Sequence, residues 1–151
     1  MNLTTNDAVQ RVRDLAGALR QRLTPWHPPR ALLQLGTGFS EEGLFDEVVS
    51  SVPMADIGLV SAEPSPAEHP LRLTLGRVGK VYVLVTNGHR FRYETGNVAE
   101  CILPVMVAAL AGVPDLILLE SGVALKEDLK PGTWMAATDY INAMGVPPAA
   151  G

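Results

Sequence analysis

The segment TNGHRFRYETGN, from Thr86 to Asn97, places a histidine, two arginines, a tyrosine and a glutamate between two glycines, directly after the apolar run VYVLV. His89, Arg90 and Arg92 are side chains able to contact an anion such as phosphate. In an extended segment alternate residues face opposite sides, which groups His89, Phe91 and Tyr93 on one face and Arg90 and Arg92 on the other. The three cations therefore cannot all converge on one ligand. A second candidate is GTGFSEEG, where small residues let backbone N–H groups approach an anion and Thr37 adds a hydroxyl. It lacks the GK[ST] ending of a P-loop and is not a GxGxxG dinucleotide fingerprint. A third is His69, in AEHPLRL, which could donate to an anion or serve as an acid or base. No second histidine or cysteine stands at metal-ligand spacing, so no metal site is expected. Ser121, in ESGV, lacks the full GxSxG elbow. No catalytic residue is assigned.

These loops need elements to position them. Val9, Val12, Leu15, Ala16, Leu19 and Leu23 repeat at helical spacing, with Thr5 or Asn6 as cap and Pro25, Pro28 and Pro29 as stop. ALLQLG reads as a short buried strand, followed by a glycine-bearing turn and a short helix or loop. Residues 53–70 are proline-rich and read as loop, with one extended piece near Ile57 to Val60. LRLTLG and KVYVLVTNG form a hairpin about a tight RVGK turn. Asn97 to Ala111 reads as a second helix, interrupted by Pro104, and DLILLESG as another buried strand. WMAATDYIN reads as a final strand. The alternation predicts a single α/β domain over residues 1–151, a mixed β-sheet flanked by helices whose ligands sit beyond the carboxyl ends of strands. The GTG, NGHR and ESG loops converge there if their strands are neighbours.

The 151 residues are 47% hydrophobic and 19% charged, with a net charge of −4, which describes a globular chain able to bury a core. Basic residues are scattered, so nucleic-acid binding is not expected. Cys101, the single cysteine, lies in an apolar helical pattern and reads as core packing, and a cytoplasmic setting fits best. The start MNLTTNDAVQRVRDL lacks the pattern of a signal peptide, and no apolar run is long enough to cross a bilayer, so no membrane partner is expected.

In order along the chain, GTGFSEEG, EHPLRLTLG, NGHRFRYETG, ILPVMVAALAGV, LILLESGVAL and PGTWMAATDYIN resemble the successive motifs of the trimeric purine nucleoside phosphorylase family, which includes methylthioadenosine phosphorylases. The corresponding family patterns are GSGLGG, PGHxGRLxxG, QGRFHxYEG, a helix with an internal Pro-Val before LGV, LxxTNAAGGL and VGDxMLIxDHIN. The likeness spans roughly residues 5 to 147 and only about half of a family member, which implies an incomplete nucleoside phosphorylase fold. It implies phosphorolysis of the N-glycosidic bond of purine nucleosides, with inorganic phosphate as co-substrate and no cofactor. It further implies Thr37, His69, His89 and Ser121 at the phosphate, and Tyr93 and Gly122 at the nucleoside. The implied partners are further copies of the chain, a trimer by resemblance, or a second polypeptide carrying the missing half. Three departures stand out. His89 and Phe91 occupy the family's arginine and histidine positions, Glu120 stands where the family has asparagine, and Val123 replaces a glycine. A non-catalytic binding or assembly subunit is the other reading these departures suggest.

Overall fold

The computed structural model describes residues 5–61, 71–143 and 145. They fall into two units, Met1–Glu120 and Ser121–Gly151. The first holds all the regular secondary structure among the described residues: helix α1 (Thr5–Arg22), strand β1 (Ala31–Leu35), strand β2 (Glu47–Pro53) with a 3-10 turn over Met54–Ile57, strands β3 (Arg72–Val78) and β4 (Val81–Thr86), helices α2 (Arg92–Thr95) and α3 (Val98–Leu110), and strand β5 (Asp115–Leu119).

The five strands form one mixed sheet in the order β2-β3-β4-β1-β5. β2 and β3 pair antiparallel, as do β3 and β4, whereas β1 lies parallel to both β4 and β5. The mixed sheet flanked by helices is the fold the sequence predicts. The expected hairpin forms with Val78 opposite Val81 and Gly79-Lys80 as its turn. Gly79 adopts a φ of 59°, a conformation that suits glycine.

The helix pattern of α1 is also realised: Val12, Ala16, Leu19 and Leu23 are buried against the sheet and α3. The helix already includes Thr5 and Asn6. Arg20 donates to the carbonyl of Ala111 through Nε at 3.1 Å and Nη2 at 2.7 Å. Those bonds satisfy an otherwise orphan carbonyl at the end of α3 and tie the two helices together. α3 begins at Asn97, whose side chain accepts from the Ala99 amide at 3.0 Å. Pro104 does not interrupt it, contrary to the sequence reading. The helix continues through Pro104, which is buried, so packing offsets the hydrogen bond that its missing N–H removes.

Leu32, Leu73, Leu75 and Leu84 point from the sheet into the core beneath α1 and α3. Leu35, Val83 and Val85 point the other way and meet Phe39, Leu44 and Phe45 from the segment between β1 and β2. Both faces of the sheet centre are thus covered.

The turn and short helix or loop read from GTGFSEEGLFDEV gives way at Glu47 to strand β2, which pairs with β3 across a bulge between Val48 and Ser50. The extended piece near Ile57 is instead the 3-10 turn that ends at Gly58. β5 forms, but it is the edge of the sheet, and Leu116, Ile117 and Leu118 are 44%, 46% and 55% exposed rather than buried. No neighbouring strand closes its outer side among the described residues.

The unit Ser121–Gly151 has turns at Lys126–Leu129 and Lys130–Thr133, held by backbone bonds of 3.3 and 3.1 Å. WMAATDYIN does not form the expected strand, and Trp134, Met135, Tyr140 and Ile141 are exposed. A strand needs a neighbour for its N–H and C=O groups, and no strand pairs with this segment among the described residues.

Candidate functional site

Because β4, β1 and β5 are parallel and adjacent, their carboxyl ends lie together on one rim of the sheet. There β1 runs into Gly36-Thr37, β4 into Asn87-Gly88-His89, and β5 into Glu120. The Gly36 amide extends the ladder by donating to the Leu119 carbonyl at 2.7 Å. β4 and β5 are two strand spacings apart, about 9–10 Å, with β1 between them. Side chains from their ends can meet only by crossing over the end of β1.

Glu120 and His89 do so. His89 Nε2 lies 3.5 Å from Glu120 Oε1, an ion pair whenever the imidazole is protonated. They meet above Gly36, where a β-carbon would run into the Glu120 carboxylate. The His89 side chain is only 13% exposed, and its Nδ1 has no hydrogen-bond partner among the described residues. Thr37 follows Gly36 and is exposed, as is Gly38.

Two further polar residues, which the sequence reading did not single out, approach this rim. Gln34 and Thr86 are register partners on β1 and β4 and are both buried. Alternation along the strands puts them on the same face as Leu32 and Leu84. Gln34 Oε1 and Thr86 Oγ1 have no hydrogen-bond partner among the described residues. A buried polar atom without a partner costs about 1–3 kcal/mol, so this end of the sheet is chemically unsatisfied by the described residues. The signal in the sequence was a polar residue interrupting each of two apolar strands, ALLQLG and VYVLVT.

The loop after β4 is not extended throughout: Gly96 closes the short helix α2, with its amide bonded to the Arg92 carbonyl at 2.7 Å. The grouping of its rings nevertheless holds. His89 and Phe91 have centroids 4.4 Å apart, and Phe91 stacks on Tyr93 at 5.2 Å. Tyr93, at the outer end of this row, is 81% exposed. Arg90 turns the other way and is buried, its Nη2 donating to the Ser61 carbonyl at 3.3 Å and its Nε 3.9 Å from Glu100 Oε2. Glu100 in turn accepts from the Ser61 amide and hydroxyl, each at 3.2 Å. Arg90 thus anchors the loop to α3.

Ser121 and Gly122 follow Glu120 directly, are exposed, and belong to the Ser121–Gly151 unit. His69 lies outside the described residues. Cys101 sits half-buried on α3 rather than in the core, with its thiol 3.7 Å from the Asn97 carbonyl. Burial, then Glu100 and Glu94, push the thiol's pKa above the ordinary value, with Arg92 opposing, which disfavours the reactive thiolate. Among the described residues no group of three His, Cys, Asp or Glu side chains could hold a metal ion, and no helix is long and apolar enough to cross a membrane.

No protein-family model matches the chain. Over 124 residues, 82% of its length, it is 29% identical to purine nucleoside phosphorylase 1 of Geobacillus stearothermophilus. The chain resembles the N-terminal half of a purine nucleoside phosphorylase. Solved phosphorylase structures agree. The Schistosoma mansoni enzyme in complex with adenosine superposes with a TM-score of 0.65 and 25% identity, over 81% of this chain and 41% of that one. A purine nucleoside phosphorylase in complex with ribose-1-phosphate gives a TM-score of 0.67 over 81% of this chain and 44% of that one; at 22% identity it speaks for the fold alone. The chain spans 44% of the Geobacillus phosphorylase, less than half its length.

Proposed function

We propose that this chain supplies one part of a purine nucleoside phosphorylase-like enzyme, completed by a second polypeptide that carries the remainder of the site. The observation that carries the reading is the set of polar groups at the parallel ends of β4, β1 and β5, in a chain whose similarity to phosphorylases extends over 82% of its length.

In the proposed reaction an oxygen of inorganic phosphate attacks the anomeric carbon of a purine nucleoside. The N-glycosidic bond breaks, its electron pair leaves with the base, and the base takes up a proton. Catalysis then requires holding the phosphate beneath a pentosyl group that gains positive charge, in a geometry that favours attack. His89 and the Thr37 hydroxyl are the proposed phosphate contacts on the sheet rim, joined by His69 and the backbone at Ser121. Tyr93 and Gly122 are assigned to the nucleoside. The exposed ring of Tyr93 and the stack beneath it suit contact with a sugar or a flat base. No cofactor enters the scheme, and a cytoplasmic setting suits these substrates.

The exposed apolar residues of β5 support a second polypeptide, because a strand with half-exposed Leu116, Ile117 and Leu118 gains burial from a covering partner. The test is phosphate-dependent release of hypoxanthine from inosine, by the chain alone and together with any polypeptide that co-purifies with it. Turnover that needs both phosphate and the second polypeptide is expected. Absence of turnover in both preparations, or full turnover by the chain alone, overturns the proposal.

A further inference from the structure

We propose that Glu120 is a built-in competitor of phosphate: its carboxylate holds the His89 side of the crevice, and an incoming oxyanion binds there only by displacing it. This rests on reading the crevice as a phosphate-using pentosyl-transfer site.

Three observations lead to it. Glu120 and His89 come from strands that are not neighbours, yet His89 Nε2 and Glu120 Oε1 are 3.5 Å apart across the end of β1. The carboxylate also lies where a side chain at position 36 would be, so it rests against the crevice floor while its side chain stays 46% exposed. Finally, the imidazole is largely buried, and Nε2 is the nitrogen that meets the carboxylate.

A phosphate brought to Nε2 therefore meets the Glu120 carboxylate at contact distance. Two like charges at that separation repel, and because Glu120 is half exposed part of that repulsion is screened by water and salt. Hydroxyl donors face no such penalty, since an ionised carboxylate accepts their hydrogen bonds. Glu120 thereby lowers the crevice's affinity for phosphate without closing it, because phosphate binds once the carboxylate moves aside. Arg90 does not offset this, because it is buried toward Ser61 and Glu100.

Calorimetric titration of the full chain with inorganic phosphate alone tests the assignment. Glu120→Gln, which keeps the shape and removes the charge, is expected to bind phosphate at least about tenfold tighter than the unaltered chain. Adding His89→Ala to Glu120→Gln should abolish that gain. Gly36→Ala, whose β-carbon pushes the carboxylate off the floor while leaving its charge, should give a smaller gain in the same direction. Circular dichroism and thermal melting confirm that each variant is folded. Equal or weaker phosphate binding by Glu120→Gln, absence of saturable binding in every variant, or a gain that survives loss of His89 overturns the assignment. Because no nucleoside is present, the result is independent of whether inosine is turned over, so the two proposals fail separately.

Discussion

β1 and β5 are paired in register along their whole length and are built from nearly the same apolar residues, yet they occupy opposite physical situations. Leu32 and Leu116 face each other across the ladder; the first is 1% exposed and the second 44%. Hydrogen bonding to a neighbour is common to both strands. What differs is cover: β1 has a strand on each side, a helical layer below and Phe39, Leu44 and Phe45 above, whereas β5 is paired on one side only. Pairing positions a strand, and layers on its faces stabilise it.

The contrast gives its largest expected effect at that matched pair. Leu32→Ala should cost about 2–5 kcal/mol in urea denaturation, since it empties a packed site. Leu116→Ala, one strand away, should cost under about 1 kcal/mol in the isolated chain, because its side chain keeps much of its contact with water. Equal losses at the two positions would break the comparison. They would mean that β5 is already covered in solution.

The opposite edge gives an intermediate effect. β2 is also an edge strand, but Phe45, just before it, lies against Gly76 of the paired β3, where a β-carbon would run into the Phe45 ring and lie 2.8 Å from the Glu47 carbonyl. Gly76→Ala should therefore destabilise by about 1–3 kcal/mol in the same assay, because the carbonyl belongs to the paired strand and cannot move freely. A neutral result would show that the two edges are equally loose. The smallest effect is expected where β1 and β5 begin. Arg30 and Asp115 form a 3.0 Å ion pair with both side chains more than half exposed. Asp115→Asn should change stability by no more than about 0.5 kcal/mol, and less still in high salt.

The elements visible in the sequence were those whose stability is local. The spacing of Val12, Ala16, Leu19 and Leu23, and the hairpin from Val78 to Val81, depend on residues close in the chain. β2 escaped because Ser50, Ser51 and Pro53 have poor strand character, and its existence depends on pairing with the distant β3, from Glu47 with Arg77 to Pro53 with Arg72. WMAATDYIN has strand character without a paired neighbour, so propensity alone does not produce a strand. The candidate site was legible in part. His89 stands out as a histidine at the end of an apolar strand, and Glu120 stands out as a carboxylate at the end of another. Their contact could not be read, because it follows from the insertion of β1 between β4 and β5 and from the missing side chain at Gly36. Strand alternation alone turns Arg90 away from His89. That it is buried and joined to Glu100 and Ser61 depends on where α3 packs, which no local pattern encodes.

The loop bearing His89 is fastened on both sides of that residue. Before it, the Asn87 side chain accepts from the Arg72 amide at 2.7 Å, and Leu71 packs so closely on Gly88 that a β-carbon there would sit 2.9 Å from it. After it, Arg90 reaches Ser61 and Glu100, and the Phe91 amide donates to Glu94 at 2.8 Å. Such a loop has already lost most of its backbone freedom when the chain folds. A ligand arriving at His89 then spends little of its binding free energy on ordering the backbone, and its affinity reflects the contacts it makes and the charge it must displace.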